Sequence, residues 1–324
     1  MKWNVVVREA FSHLRVGVDS RDVPRIIPAA TRDGYADSFD KCPIYWELHG
    51  PDLHETQARP MIFCYGLVCS VNQWRAQLER YSKTNPCIVF DYRGHHRTPL
   101  PLELNSVNLS ALGRDVIAIL KHLKIEKPVH LWGHSMGVNV ALEAALADPE
   151  RFQSLVLCCG TSESPFKNML HIPRLDRLIT PILDSSKVTP EPFYALWDLL
   201  RLSPKTTGMI AQLAGFNTDT STKDDVEVYA KAVCEVRSET FIQLIRELHR
   251  GATKTILPRI KTPTAVIAGA LDHVTPISEQ KYLSESLPDA VYFEIPAGSH
   301  NVQLDFGEYV GLKVENWWRE RKLE

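Results

Sequence analysis

Seven short apolar runs, at residues 44–49, 61–65, 87–90, 129–132, 155–159, 264–268 and 291–295, constrain the fold more than any other feature of the sequence. Each is rich in Val, Ile, Leu, Phe or Cys, and most end at a turn-prone residue. Runs that are apolar without alternation belong to strands covered on both faces. Between many of them lie stretches of helical period: residues 74–81, then 109–123 with Leu112, Val116, Ile119, Leu120 and Leu123 on one face, then 138–147, stopped by Asp148-Pro149. This β-α alternation predicts a mostly parallel sheet flanked by helices. Asp33-Gly34 reads as a turn ahead of the first strand.

The alternation lapses over residues 161–257 and resumes at 264. Pro165, Pro173, Pro181, Pro190 and Pro192 punctuate the first half of that stretch, and residues 193–202 and 226–248 read as two amphipathic helices. A sheet that is interrupted and then continues implies a helical cap inserted into one core, so the expected organisation is a core at 31–160 and 258–324 with a cap at 161–257. Residues 1–30 form an extension whose Val7, Phe11, Leu14 and Val18 fall at helical spacing. Such a helix packs on the body or anchors peripherally to a membrane.

Composition narrows the partners. Lys and Arg total 37 against 39 Asp and Glu, a formal charge of −2, and no basic cluster offers a nucleic-acid surface. No stretch approaches the roughly 20 apolar residues of a membrane span, so membrane contact is expected to be peripheral at most. Seven cysteines are an odd number, and Cys64, Cys87, Cys158 and Cys159 sit in core runs, which fits a reducing cytoplasm. No C-x-x-C pair with metal spacing occurs. Neither metal nor cofactor is expected.

The chemistry concentrates where strands end. Gly133-His134-Ser135-Met136-Gly137 lies between the run ending at Trp132 and the helix that follows, a G-x-S-x-G sequence in strand-turn-helix context. The turn is sharp, and its glycines leave room for neighbouring backbone. It lifts the hydroxyl of Ser135 towards the crevice beyond the strand ends, where ligands of such sheets bind. A serine hydroxyl needs a base, and the base an orienting carboxylate. Asp272 follows the run at 264–268 and His300 the run at 291–295, each on a small glycine-containing loop. His273 and Glu163 compete as base and acid, and His95-His96 reads as a loop lining the entrance. For an oxyanion, the backbone N–H of Met136 and that of Leu67, after Tyr65-Gly66, are the candidate donors.

Taken together, Tyr65-Gly66, Asp91-Tyr92-Arg93-Gly94, the turn at 133–137, Asp148-Pro149-Glu150-Arg151, Gly269 with Asp272 and Gly298 with His300 make the chain resemble the α/β-hydrolase superfamily over nearly its whole length. The resemblance is to the lid-bearing serine esterases, lipases and related hydrolases. It implies an α/β-hydrolase fold and a Ser135-His300-Asp272 triad. Two departures stand out. Such proteins often have His-Gly where this chain has Tyr65-Gly66, and Arg-Gly-x-Gly where it has Arg93-Gly94-His95-His96. By the same resemblance, a serine at the turn sets the chain apart from epoxide hydrolases and haloalkane dehalogenases, which place an aspartate there.

Cleavage of a carboxylic ester or thioester is the leading expectation. Carbon-carbon cleavage of a diketone and acyl transfer use the same three residues, and a binding module without turnover is the alternative outside enzymology. Phe193, Trp197 and Phe216 of the apolar cap are the candidate substrate contacts, so the expected partner is a small-molecule or lipid-like acyl substrate.

Overall fold

The computed structural model describes residues 24–202, 207, 208, 215 and 221–324. Its strands are β1 (Arg32–Asp37), β2 (Pro43–His49), β3 (Met61–Cys64), β4 (Cys87–Phe90), β5 (Val129–His134), β6 (Phe152–Cys158), β7 (Thr264–Gly269) and β8 (Ala290–Ile295). They form one eight-stranded sheet in the order β1-β2-β4-β3-β5-β6-β7-β8. β1 and β2 run antiparallel to each other, as do β2 and β4, and every other pairing is parallel. All residues of β3, β4, β5 and β7 are buried, as strands covered on both faces require.

β1 corrects one sequence expectation. Asp33-Gly34 lies inside a strand, with Gly34 opposite Trp46. A Cβ there would stand 3.2 Å from the Trp46 indole, so glycine serves the passage of a large ring across the pair and not a turn. The exposed, weakly apolar edge of the sheet left no run to read.

Among the described residues, the α-helices of seven residues or more are α1 (Arg75–Tyr81), α2 (Leu109–His122), α3 (Met136–Ala147), α4 (Leu175–Val188), α5 (Glu191–Leu200), α6 (Lys223–Glu235), α7 (Ser238–His249), α8 (Ile277–Ser286) and α9 (Gly307–Arg321). β6 and β7 are parallel neighbours, yet α4, α5, α6 and α7 all lie between them in sequence. Among the described residues, those four helices make up the inserted cap. Two expectations within it change. α4 runs through Pro181, and the stretch expected as one helix at 226–248 divides into α6 and α7. The break falls at Val236 and Arg237, both extended, where the Val236 side chain turns inward against Val68 and Val233. α6 opens with a reciprocal cap: Thr222 accepts from the Asp225 N–H, and the Asp225 carboxylate accepts from the Thr222 N–H.

The expected helix near the N-terminus, and Met209, Ile210, Leu213 and Phe216 of the cap, lie outside the described residues. No described helix is long and apolar enough to cross a membrane.

Candidate active site

Strand order sets where the site forms. The chain passes from β3 to β4 on one side and returns to β5 on the other, so β3 and β5 are neighbours at a topological switch point. Gly66 follows β3 and Ser135 follows β5, which brings their loops side by side. A Cβ on Gly66 would lie 3.1 Å from both the Ser135 Cβ and His134 Nδ1, so a side chain there would push the two loops slightly apart.

Ser135 itself has φ 54° and ψ −118°, a conformation unfavourable for any residue with a side chain. Its neighbours enforce it. A Cβ on Gly137 would fall onto the Cys64 carbonyl, and one on Gly133 would stand 2.5 Å from the Gly137 carbonyl oxygen. The strained turn therefore follows from tight packing between β3, β5 and the start of α3.

The hydroxyl of Ser135 lies 3.0 Å from His300 Nε2, and His300 Nδ1 lies 2.9 Å from Asp272 Oδ2. Asp272 sits after β7 and His300 after β8, so four strand ends contribute to one crevice. The Asp272 carboxylate is almost fully satisfied. Oδ1 accepts from the N–H groups of Val274 (2.8 Å) and Thr275 (2.9 Å), while Oδ2 accepts from the Thr275 hydroxyl (2.7 Å) and the Gln280 amide (3.2 Å) as well as from His300. Burial pushes this carboxyl up, but His300 and the donors of Thr275 outweigh burial and hold it below the ordinary carboxylate range. It remains an anion facing the imidazole.

The competing residues point elsewhere. Glu163 pairs with Lys167 and Lys254. His273 is exposed, its Nδ1 2.9 Å from His171 Nε2. His95 and His96 do not line the entrance, a correction to the expectation: both side chains are buried beside the ring of Tyr65. Burial, followed by the proximity of His96, pushes the His95 imidazole down to about 3.

Leu67 and Met136 both border the cavity next to Ser135. Met136 opens α3, so its N–H has no acceptor within the helix. Residues 66–69 form a tight turn, closed by the Cys69 N–H donating to the Gly66 carbonyl at 3.2 Å.

The cavity has a volume of about 320 Å³ and an overwhelmingly apolar wall in which Trp197, Leu200, Tyr229, Val233 and Phe241 face Ser135 and His300. Trp197 is stacked on Phe241, ring centroids 3.5 Å apart, and its indole N–H donates to the Val236 carbonyl. Phe193 does not border the cavity, nor do Leu196 and Leu199, which are more than half exposed. On α5 only Trp197 and Leu200, three residues apart, turn inward.

Sequence reasoning missed the residues that hold these three side chains in place. His134 donates from Nε2 to the His300 carbonyl at 2.8 Å, and burial, followed by the neighbouring His300, pushes its own pKa down to about 3, so it stays neutral. Asn301 accepts from Gln73 and donates to the Gly215 carbonyl, joining the His300 loop to the segment after β3 and to the cap. Thr275 carried a readable signal, since it lies three residues after Asp272 and precedes a proline, a common setting for a side chain that closes a turn.

Comparison with known proteins agrees with this fold. Residues 59–181 match the family model described as alpha/beta hydrolase fold. The RutD protein of Caulobacter sp. (strain K31), for which carbamate hydrolysis is the proposed activity, is 25% identical over 278 residues, 85% of this chain and 95% of its own. The 3-oxoadipate enol-lactonase 2 of Acinetobacter baylyi is 25% identical over 244 residues, 74% of this chain and 81% of its own. Among solved structures, a thermophilic esterase from Thermogutta terrifontis superposes with a TM-score of 0.69 at 20% identity, covering 90% of this chain and 99% of the esterase. The strand order, the strained serine turn and these matches together show that the chain has the α/β-hydrolase fold.

Proposed function

We propose that this protein is a serine hydrolase that cleaves carboxylic esters or thioesters bearing an apolar acyl group. The reading rests on one observation above all: the relay from Asp272 through His300 to Ser135, with links of 2.9 and 3.0 Å, opens into an apolar cavity. In this mechanism His300 Nε2 takes the Ser135 proton as Oγ attacks the acyl carbon. Asp272 keeps the other ring proton on Nδ1 and stabilises the imidazolium that forms. The N–H groups of Leu67 and Met136 receive the oxyanion. The imidazolium then protonates the leaving group, and water admitted to the same base hydrolyses the acyl-enzyme.

The names of the relatives support acyl chemistry, since a lactone and a carbamate each present a carbonyl carbon bonded to a heteroatom leaving group. The seven buried free thiols support a reducing, cytoplasmic setting. A fluorophosphonate probe tests the nucleophile, with labelling expected at Ser135 and abolished in Ser135→Ala. A series of p-nitrophenyl esters of rising chain length tests the acyl preference. Failure of a folded protein to label would refute the mechanism, and a preference that falls steadily from acetate upward would refute the apolar acyl site.

A further inference from the structure

His96 occupies the place where similar proteins often carry the second glycine of Arg-Gly-x-Gly, and its backbone accordingly has φ 43°, in the left-handed region. Its side chain reaches in two directions. Nε2 lies 2.8 Å from the Cys69 carbonyl oxygen, and Nδ1 lies 2.8 Å from Glu235 Oε2 at the last residue of α6. A carbonyl only accepts, so Nε2 carries a proton, and a second proton is held between Nδ1 and the Glu235 carboxylate. The two side chains are 6% and 4% exposed. A carboxylate at a helix C-terminus faces the negative end of the helix dipole and gains from a cation beside it.

A second contact joins the same parts. Val68, in the turn at 66–69, has φ 55°, unusual for a β-branched residue, and packs against Val233 and Val236 of the cap. The turn that carries Leu67 is thus held from the cap twice, by apolar packing and by the imidazole bridge.

We propose that His96 and Glu235 are positioning residues that clamp the oxyanion turn to the cap, so that the docked cap sets the orientation of the Leu67 N–H. The proposal rests on the hydrolase reading. The groups facing the His96 ring are Glu235 from α6, Asp91 at the end of β4 with Arg97 bonded to it at 3.2 Å, the Cys69 carbonyl, and the rings of His95 and Tyr65. Burial opposes the charged ring, but the bond from Glu235 and the charge of Asp91 outweigh it and hold the His96 pKa above the ordinary histidine value. Loss of that proton as pH rises through the raised value leaves a lone pair on Nδ1 against the carboxylate and opens the clamp.

The test uses full-length protein with p-nitrophenyl butyrate from about pH 5 to 10, together with the rate of fluorophosphonate labelling. His96→Asn keeps a residue tolerant of positive φ but too short to bridge. It and Glu235→Ala are expected to lower kcat and the labelling rate about tenfold to a hundredfold, with KM changed far less, as for a misplaced transition-state donor. Glu235→Gln is expected to retain neutral-pH kcat, because its amide donates to a neutral Nδ1 while Nε2–H stays on Cys69, and to abolish the fall in kcat expected of the unmodified enzyme as pH rises through the raised His96 value. A folded His96→Asn protein with unchanged kcat overturns the clamp, and so does a Glu235→Gln protein as impaired as Glu235→Ala. The Glu235→Gln profile decides the matter should His96→Asn fail to fold. If instead Ser135→Ala keeps its activity and labelling, the hydrolase reading itself falls and the clamp with it.

Discussion

Replacing Asp272 with asparagine is the sharpest test of the proposed relay, because the hydrogen bonds dictate which way the new amide must face. Oδ1 accepts from two backbone N–H groups, Val274 and Thr275, so the amide oxygen must stay on that side. The amide nitrogen then takes the place of Oδ2, turning its protons toward His300 Nδ1 and the Thr275 hydroxyl and setting a donor against the Gln280 amide N–H. His300 can satisfy that donor only by moving its proton from Nδ1 to Nε2. In that tautomer the nitrogen 3.0 Å from Ser135 Oγ is no longer a base. Loss of the productive tautomer in a triad lowers kcat by about 10⁴, equivalent to about 5 kcal/mol of transition-state stabilisation. Glu163→Gln removes only the pairing to Lys167 and Lys254, so its kcat should stay within about twofold of the unmodified enzyme. Steady-state rates on p-nitrophenyl butyrate, with circular dichroism to verify folding, decide between them. An Asp272→Asn enzyme retaining more than about a tenth of its kcat, or a Glu163→Gln enzyme more damaged than it, would falsify the assignment.

Ser135→Ala should abolish turnover and labelling while leaving the thermal midpoint nearly unchanged; retained turnover in the folded variant would rule out Ser135 as nucleophile. Gly137→Ala should be destabilised by several kcal/mol or fail to fold, since its Cβ falls on the Cys64 carbonyl, and thermal denaturation within a degree or so of the unmodified protein would contradict the packing of the turn. Each methylene buried in the cavity contributes about 0.8 kcal/mol, so catalytic efficiency should rise a fewfold per carbon, chiefly through KM, until the cavity is full. Trp197→Ala should flatten that rise, whereas Leu199→Ala, at an exposed position, should leave it intact. Because folding raises the His96 pKa, the native state binds the extra proton over a window that the unfolded chain does not. Its stabilisation is complete below the ordinary histidine value of about 6.5 and is lost as pH rises through the raised value, a slope in thermal midpoint that Glu235→Gln should remove.

How far the sequence could be read follows from the distance over which each constraint acts. Ser135, Asp272 and His300 could be brought to one edge of the sheet from the sequence because each lies on a short loop just after a strand, so local pattern alone pointed to all three. Residues whose role depends on a distant neighbour were not. His134 looks like the variable position of a motif until the His300 carbonyl, 166 residues away, is seen accepting its proton. α5 is apolar on most sides, Phe193, Leu196, Trp197, Leu199 and Leu200, so periodicity could not say which face meets the cavity; contact with α7 decides it through the Trp197-Phe241 stack. Pro181 was read as a break, yet a helix tolerates a missing N–H when its other turns are held, and the Thr180 hydroxyl, bonded to both the Asp176 carbonyl and His249, ties that turn to α7.

His96 carries this reasoning one step further. In the sequence it was only a departure from Arg-Gly-x-Gly, and a missing glycine says that a loop differs without saying what the difference does. The structure supplies both halves of an answer: a backbone still in the left-handed region that glycine favours, and a side chain spanning from the turn after β3 to the end of α6. A glycine at 96 would fit the same backbone path and would leave the Cys69 carbonyl and the Glu235 carboxylate without a bridge. The backbone constraint and the side-chain function are therefore separable, which is why a residue such as Asn, tolerant of the conformation but unable to span it, isolates the one from the other.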